Sequence, residues 1–285
     1  MGDRLRELWD FDDLGATEQR LRAQLELEPS DEGRGEVLTQ LARVEGLRGE
    51  FEAGDRLAGE AEAHAGTSAV VAVRVDLERG RLLRSAGKRD AALPLFESAF
   101  AKAVDACEWF LAADAAHMAA LAAGNRDGLV AWTLQGIALA DEREAASYWL
   151  APLLNNLGWE YHDAGEHGPA LDAFERALAA RERDPANRSA IEIARYAVGK
   201  TLRALGRSDE AIPLLERAVT WAVGKGASDG WFHEELAEEY AAVGRTGDAR
   251  EQARLALPLL LDADPALADD AERSRRLRSL AGSTD

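Results

Sequence analysis

Small residues recur along this chain in one register, set among apolar positions at helical spacing. Ala61, Ala99, Ala138, Ala177, Ala218 and Ala256 fall 38, 39, 39, 41 and 38 residues apart. Seven residues before each lies a second small side chain, at Gly54, Ala92, Ala131, Ala170, Ala211 and Ala249. Five residues earlier a glycine recurs at Gly49, Gly87, Gly165, Gly206 and Gly244, while the third unit has Arg126 there, between Gly124 and Gly128. Seven further back stand Ala42, Gly80, Ala119, Gly158, Gly199 and Ala237. A separation of seven returns to the same helix face after two turns. Small side chains there let two helix backbones approach closely, and glycine at the break accepts the positive φ of a helix end. The pattern predicts helix, glycine turn, helix, repeated six times with a period of about 39 residues. No single hairpin buries its apolar stripe, so the hairpins must stack on one another.

The expected units cover 36–72, 73–111, 112–150, 151–191, 192–229 and 230–262. Residues 1–35, with the acidic DFDD and the amphipathic ATEQRLRAQLEL, read as an N-terminal cap. Residues 263–285, charged and amphipathic after Pro265, read as a C-terminal capping helix and tail. Caps are needed because the end faces of a stack otherwise expose apolar surface. Pro94, Pro169 and Pro213 are expected within a few residues of the start of second helices, where amide hydrogens have no intrahelical partner. Asp90, and Ser208 or Asp209, then serve as N-caps, and Pro152 marks the start of a first helix.

The segment NNLGWEYHDAGEHGPALDAFERAL, Asn155 to Leu178, resembles the tetratricopeptide repeat (TPR) family at Leu157, Gly158, Tyr161, Gly165, Ala170, Phe174 and Ala177. The fifth unit matches at Gly199, Gly206, Ala211, Leu215 and Ala218, and the sixth at Leu236, Ala237, Tyr240, Gly244, Ala249 and Ala256. The first and third units depart from the pattern, with Glu45 and Ala122 where the family prefers a large ring. The resemblance implies an all-α, right-handed α-solenoid whose first helices line a concave groove. The usual family period is about 34 residues, so the longer units here resemble those of bacterial peptide sensors and regulators and of motor light chains. The chain looks like a free-standing bacterial member with no catalytic or DNA-binding domain attached.

Composition narrows the function. The 285 residues carry a net charge of −18 and 47% hydrophobic side chains, enough for a core. An acidic surface repels nucleic acid unless basic residues are segregated on it, and it disfavours anionic membranes. There is no 20-residue apolar run and no signal-type stretch, so a cytoplasmic protein is expected, with neither nucleic acid nor membrane as partner. Cys107, in the apolar run AVDACEWFL, reads as a buried structural thiol. No phosphate loop, dinucleotide fingerprint or nucleophile elbow is present, so no catalytic residue, cofactor or metal is assigned. His162 and His167 lack a third ligand at metal spacing.

The register then selects side chains facing the groove: Arg43; Arg74, Arg81 and Arg84; His117; Asn155, Asn156, Trp159 and His162; Tyr196, Lys200 and Arg203; Trp231, Glu235 and Glu238. The excess acid is expected on second helices and loops, as in DEREAA and EELAEE. Cations converging from several repeats favour an anionic segment, and Trp159, Tyr196 and Trp231 offer apolar burial beside them. The expected ligand-binding set is therefore Arg81, Arg84, His117, Asn155, Asn156, Trp159, His162, Tyr196, Lys200, Arg203 and Trp231. A chaperone-type carboxylate clamp does not fit, since Ile193, Tyr196 and Ala197 stand where cations are required. The leading expectation is a non-enzymatic scaffold for an acidic or carboxylate-bearing protein segment. The alternatives are a small-molecule sensor or enzyme pocket near His117, Trp159 and His162, and self-association as a homodimer.

Overall fold

The computed structural model describes residues 3–264, 267 and 270–282, all helical or in turns and loops. Pro265 and residues 283–285 of the expected C-terminal tail lie outside them. The helices are α1 (Leu14–Leu27), α2 (Asp31–Leu47), α3 (Phe51–Ala65), α4 (Ala69–Ser85), α5 (Arg89–Asp105), α6 (Trp109–Ala122) and α7 (Arg126–Glu142). They continue as α8 (Leu150–Asp163), α9 (His167–Glu182), α10 (Arg188–Ala204), α11 (Ser208–Gly224), α12 (Gly230–Ala242), α13 (Thr246–Ala263) and α14 (Ala271–Ala281). Short 3-10 turns occupy Arg6–Leu8 and Glu144–Trp149. Two compact units divide the chain, residues 1–156 and 157–285.

Within each unit, antiparallel hairpins stack in chain order, an all-α solenoid. First helices touch the next first helix as well as their own partner: α2 meets α4 and α4 meets α6, and likewise α10 meets α12 and α12 meets α14. First helices thus form an inner layer. In the fifth hairpin α10 buries ten residues and α11 only the four-residue stripe Ala211, Leu215, Ala218 and Ala222. The C-terminal helix α14 packs on α13 and α12 as a further first helix would.

The turn glycines act as expected. Gly49, Gly87, Gly165, Gly206 and Gly244 have φ between 72° and 83°. The amide after each donates five residues back, as from Glu50 to the Glu45 carbonyl (2.9 Å) and Arg207 to the Leu202 carbonyl (2.9 Å). This is the Schellman end, which satisfies carbonyls the helix leaves open. Its consequence overturns the expected caps. The next helix starts directly after the glycine, so Lys88 and Arg207 occupy the N-cap without a side-chain hydrogen bond, and not Asp90, Ser208 or Asp209. Pro94 and Pro213 accordingly stand at the sixth helical residue, inside α5 and α11 rather than in their first turn.

Cys107 corrects another expectation. It is exposed, not buried, and at φ 59° it takes the left-handed position that glycine fills elsewhere. The Glu108 amide still closes the Schellman bond to the Ala103 carbonyl at 2.8 Å.

The third hairpin explains its missing glycine and shifts the register. α6 leaves in an extended conformation at Ala123 (ψ 133°), and Asn125 caps α7 by accepting from the Gly128 amide at 2.8 Å. No left-handed residue is needed in such a turn. α6 ends three residues after Ala119, whereas α4 ends five after Gly80. The buried small position of α7 therefore moves two residues back, to Gly136, and the expected Ala131 and Ala138 are exposed.

Volume is matched between the two helices of a hairpin. A Cβ added at Gly80 would lie 2.5 Å from the Phe96 ring, one at Gly158 2.5 Å from Phe174, and one at Gly199 2.9 Å from Leu215. Where the second helix carries Ala58, Thr133 or Ala253 at that position, the first helix carries Ala42, Ala119 or Ala237, all buried. Interiors packed near crystal density have no room for a side chain opposite each large ring or leucine, whereas a small residue on the second helix admits an alanine on the first.

Candidate functional site

The first-helix face of the first unit is built from α2, α4 and α6, and residues 3–12 lie across it. Arg74 on α4, 5% exposed, holds the Asp3 carboxylate with two bonds, Nη2 to Oδ1 at 2.7 Å and Nη1 to Oδ2 at 3.2 Å. Burial pushes the Asp3 carboxyl up, but Arg74 beside it more than offsets this and leaves it below the ordinary value. Leu5 is fully buried with Leu21, Val37 and Val71. The Arg6 guanidinium lies 4.1 Å above the Tyr148 ring. Trp9 donates from Nε1 to Gln40 Oε1 at 3.0 Å and stacks on Phe11 at 4.9 Å. The far end is pinned where the Asp10 amide and carbonyl both bond the Thr17 hydroxyl at 2.8 Å.

Under this strap lies a cavity of about 80 Å³ lined by Trp9, Arg43, Arg74, Glu78, Arg81 and Trp149, among others. Arg81 is neutralised, bonding Glu78 at 2.5 Å and both Asp114 oxygens at 2.5 and 2.6 Å. Glu78 is buried, which raises its carboxyl pKa, and its Oε2 has no hydrogen-bond partner among the described residues. Arg43 lies 5.3 and 5.7 Å from the Trp9 and Phe11 ring centroids. Its guanidinium faces the cavity without an ion pair or hydrogen bond among the described residues, and burial and Arg81 both depress its pKa.

The expected residues divide between the units. In the first, Arg84 is half-buried, reaches the Leu121 carbonyl at 3.5 Å, and has its pKa lowered by burial and Arg89. His117 packs on Trp149 (5.3 Å between centroids) and contacts the Asn156 amide at 3.3 Å. Desolvation, with Arg81 and Arg84 nearby, lowers its pKa to about 4. Asn155 is half-buried.

In the second unit, Trp159 meets Phe174 edge-on at 4.9 Å and His162 at 5.5 Å. His162 stands 5.0 Å from the His167 ring, and burial and Lys200 lower its pKa. Tyr196 is buried against Phe232 at 4.8 Å, and burial raises its phenol pKa. Trp231 packs partly buried over Ala256, Leu260 and Leu267. Lys200 and Arg203 both end on Glu235, at 2.5 and 2.7 Å.

The acidic EELAEE is α12 itself, a first helix, and not a second helix as expected. Glu234 and Glu238 reach forward to Arg273 (2.6 Å) and Arg276 on α14, so acid alternates with base along successive first helices. An open trough of about 480 Å³ lies above these pairs. Opposite charges spaced by roughly one repeat, such as Arg81 and Asp114 or Glu234 and Arg273, carried this ladder in the sequence. The strap residues Asp3, Arg6, Trp9 and Phe11 had no periodic signal to reveal them.

Two family models described as tetratricopeptide repeat match residues 153–183 and 193–222, the fourth and fifth hairpins. No curated protein matches in sequence. Among solved structures, a signal-transduction ATPase with a tetratricopeptide repeat sensor from Pyrococcus horikoshii superposes with a TM-score of 0.70 at 12% identity. It covers 91% of this chain, which spans only 41% of that protein's length. BtubC from P. vanneervenii gives 0.60 at 17% identity over 80% of this chain and 94% of its own. The apo form of RapI gives 0.55 at 14% identity over 87% and 91%. At such identities the likeness concerns the fold alone. No helix among the described residues is long and apolar enough to cross a membrane. Repeat signature, hairpin geometry and structural likeness agree, and the chain carries tetratricopeptide repeats, matched at residues 153–183 and 193–222.

Proposed function

We propose that this protein is a non-enzymatic scaffold whose first-helix face, in the first unit, binds a protein segment bearing a carboxylate. The observation that carries the reading is the pair of arginines at that face. Arg74 grips a carboxylate that belongs to no repeat helix, in the fork geometry arginine makes with such groups. Arg43 beside it is a half-buried cation with no carboxylate of its own. Arg84, without an acidic partner on the same helix layer, extends the cationic strip. Arg81, Lys200 and Arg203 contribute less, because carboxylates of the chain already neutralise them.

A peptide-display selection against the whole chain tests this. Enriched segments should carry Asp or Glu beside aromatic residues. Arg43→Gln and Arg84→Gln should each weaken them by roughly tenfold or more, the value of about 1.5 kcal/mol for a charged hydrogen bond. Lys102→Gln, on the second helix α5, should leave binding unchanged. Enrichment without acidic residues, or binding indifferent to Arg43→Gln, refutes the proposal.

A further inference from the structure

We infer that residues 3–12 are a built-in occupant of the first unit's binding face, and that a partner segment of the same chemistry displaces them. This rests on the proposed scaffold reading and adds what the partner must look like. The strap follows no repeat helix, yet it makes every type of contact the face offers. Its Asp3 carboxylate fills the Arg74 fork, Leu5 enters the core, Arg6 covers Tyr148, and Trp9 bonds Gln40 while stacking beside Arg43. Read as a ligand, it is a carboxylate, an aliphatic residue two positions on, and an aromatic residue six positions on. The cavity beneath it shows that the fit is incomplete, since Arg43 and Glu78 Oε2 both remain unmatched there. A partner with an additional polar group reaching that space binds better than the strap. Asp13 caps α1 just beyond the strap and α1 packs on α2 by itself, so α1 stays docked when the strap leaves, and release breaks the two Thr17 bonds to Asp10 at the strap's far end. Besides Asp3, Leu5, Arg6 and Trp9, the strap is held by Arg4, paired with Glu28 at 2.7 Å and Glu36 at 3.1 Å, and by the Leu8 carbonyl, which accepts from Arg20 at 2.8 Å, so an incoming segment must offset these bonds as well.

A tethered segment acts at an effective concentration of order millimolar, so the closed fraction is high and an external segment binds with its affinity reduced by the open fraction. The probe is a fluorescein-labelled peptide of residues 3–13, DRLRELWDFDD, titrated into the full chain. Against Asp3→Ala/Trp9→Ala, whose strap is loosened, the peptide should bind at least tenfold more tightly than against the unaltered chain. Adding Arg43→Gln should remove most of that gain. In the unaltered chain, millimolar peptide should speed amide exchange in residues 4–12 while α2 and α4 stay protected, a measurement that needs no destabilised variant. Equal affinity for both chains, or no binding to the loosened one with its helicity intact, overturns the inference. Exchange in residues 4–12 that peptide leaves unaltered overturns it too, even if the display selection above succeeds. Strap exchange between two copies would appear as a concentration-dependent dimer of the unaltered chain, and that outcome also overturns it.

Discussion

Replacing Gly158 by alanine should destabilise the protein, although the same change improves helix propensity. The new Cβ would sit 2.5, 2.6 and 2.8 Å from Cε1, Cδ1 and Cζ of Phe174, against a favourable carbon–carbon separation of about 3.5–4.0 Å. The ring must move by about 1 Å. It is 1% exposed and held by Trp159 edge-on at 4.9 Å and by Ala170 and Tyr196 in the same core, so it has nowhere to go. Overpacking costs about 1–3 kcal/mol. Alanine over glycine returns about 1 kcal/mol in a helix interior, leaving a net loss of about 1 kcal/mol. In a Phe174→Ala background the sign should reverse. There the methyl fills vacated space at about 0.8 kcal/mol and keeps its helical advantage, a gain of about 1.5–2 kcal/mol. The pair would then resemble Ala237 and Ala253, which pack together in the sixth hairpin. Because stacked repeats need not unfold in one step, urea unfolding by circular dichroism should be paired with amide exchange of α8 and α9. A Gly158→Ala effect of the same sign in both backgrounds would refute the volume-matching argument.

Two further outcomes follow from single residues. Cys107→Gly should raise stability by about 0.5–1 kcal/mol, because the left-handed conformation costs a side-chain residue about 1–2 kcal/mol while glycine adds unfolded-state entropy of about 0.4–1 kcal/mol; a lower urea midpoint would contradict it. His117 titrates near 6.5 when unfolded and about 4 when folded. The unfolded state thus takes the proton first as pH falls, so this contribution is complete above pH 6.5, declines between 6.5 and about 4, and is level below. Stability of His117→Gln should lack that decline, worth on the order of 3 kcal/mol; parallel pH curves for the two proteins would exclude it.

The repeat, its hairpins and most turn positions were legible in the sequence because they depend on spacing alone. A small residue every seventh position and a glycine at each helix end are local demands, and they recur because each hairpin meets the same neighbour. The slip at Ala131 and Ala138 has the same origin. One turn exchanged a left-handed glycine for an Asn125 cap, and the register moved by two residues without altering composition. Cys107 was misplaced because apolar neighbours suggested burial, while backbone geometry put it at an exposed helix end.

The proposed binding face was legible only as a set of positions. Periodicity placed Arg43, Arg74, Arg81, Lys200 and Arg203 on the first-helix layer, but it does not say which carboxylate each one meets. That pairing depends on side chains from helices a full repeat apart, as with Arg81 and Asp114 or Lys200 and Glu235. The strap is further still from sequence reach, since Asp3 meets Arg74 across 71 residues with no repeating pattern to mark the contact. The sequence by itself determined how the hairpins stack, because packing between identical neighbours is written periodically. Only the tertiary structure decided which cations remain open and what lies across them, because those contacts are made once and between dissimilar parts of the chain.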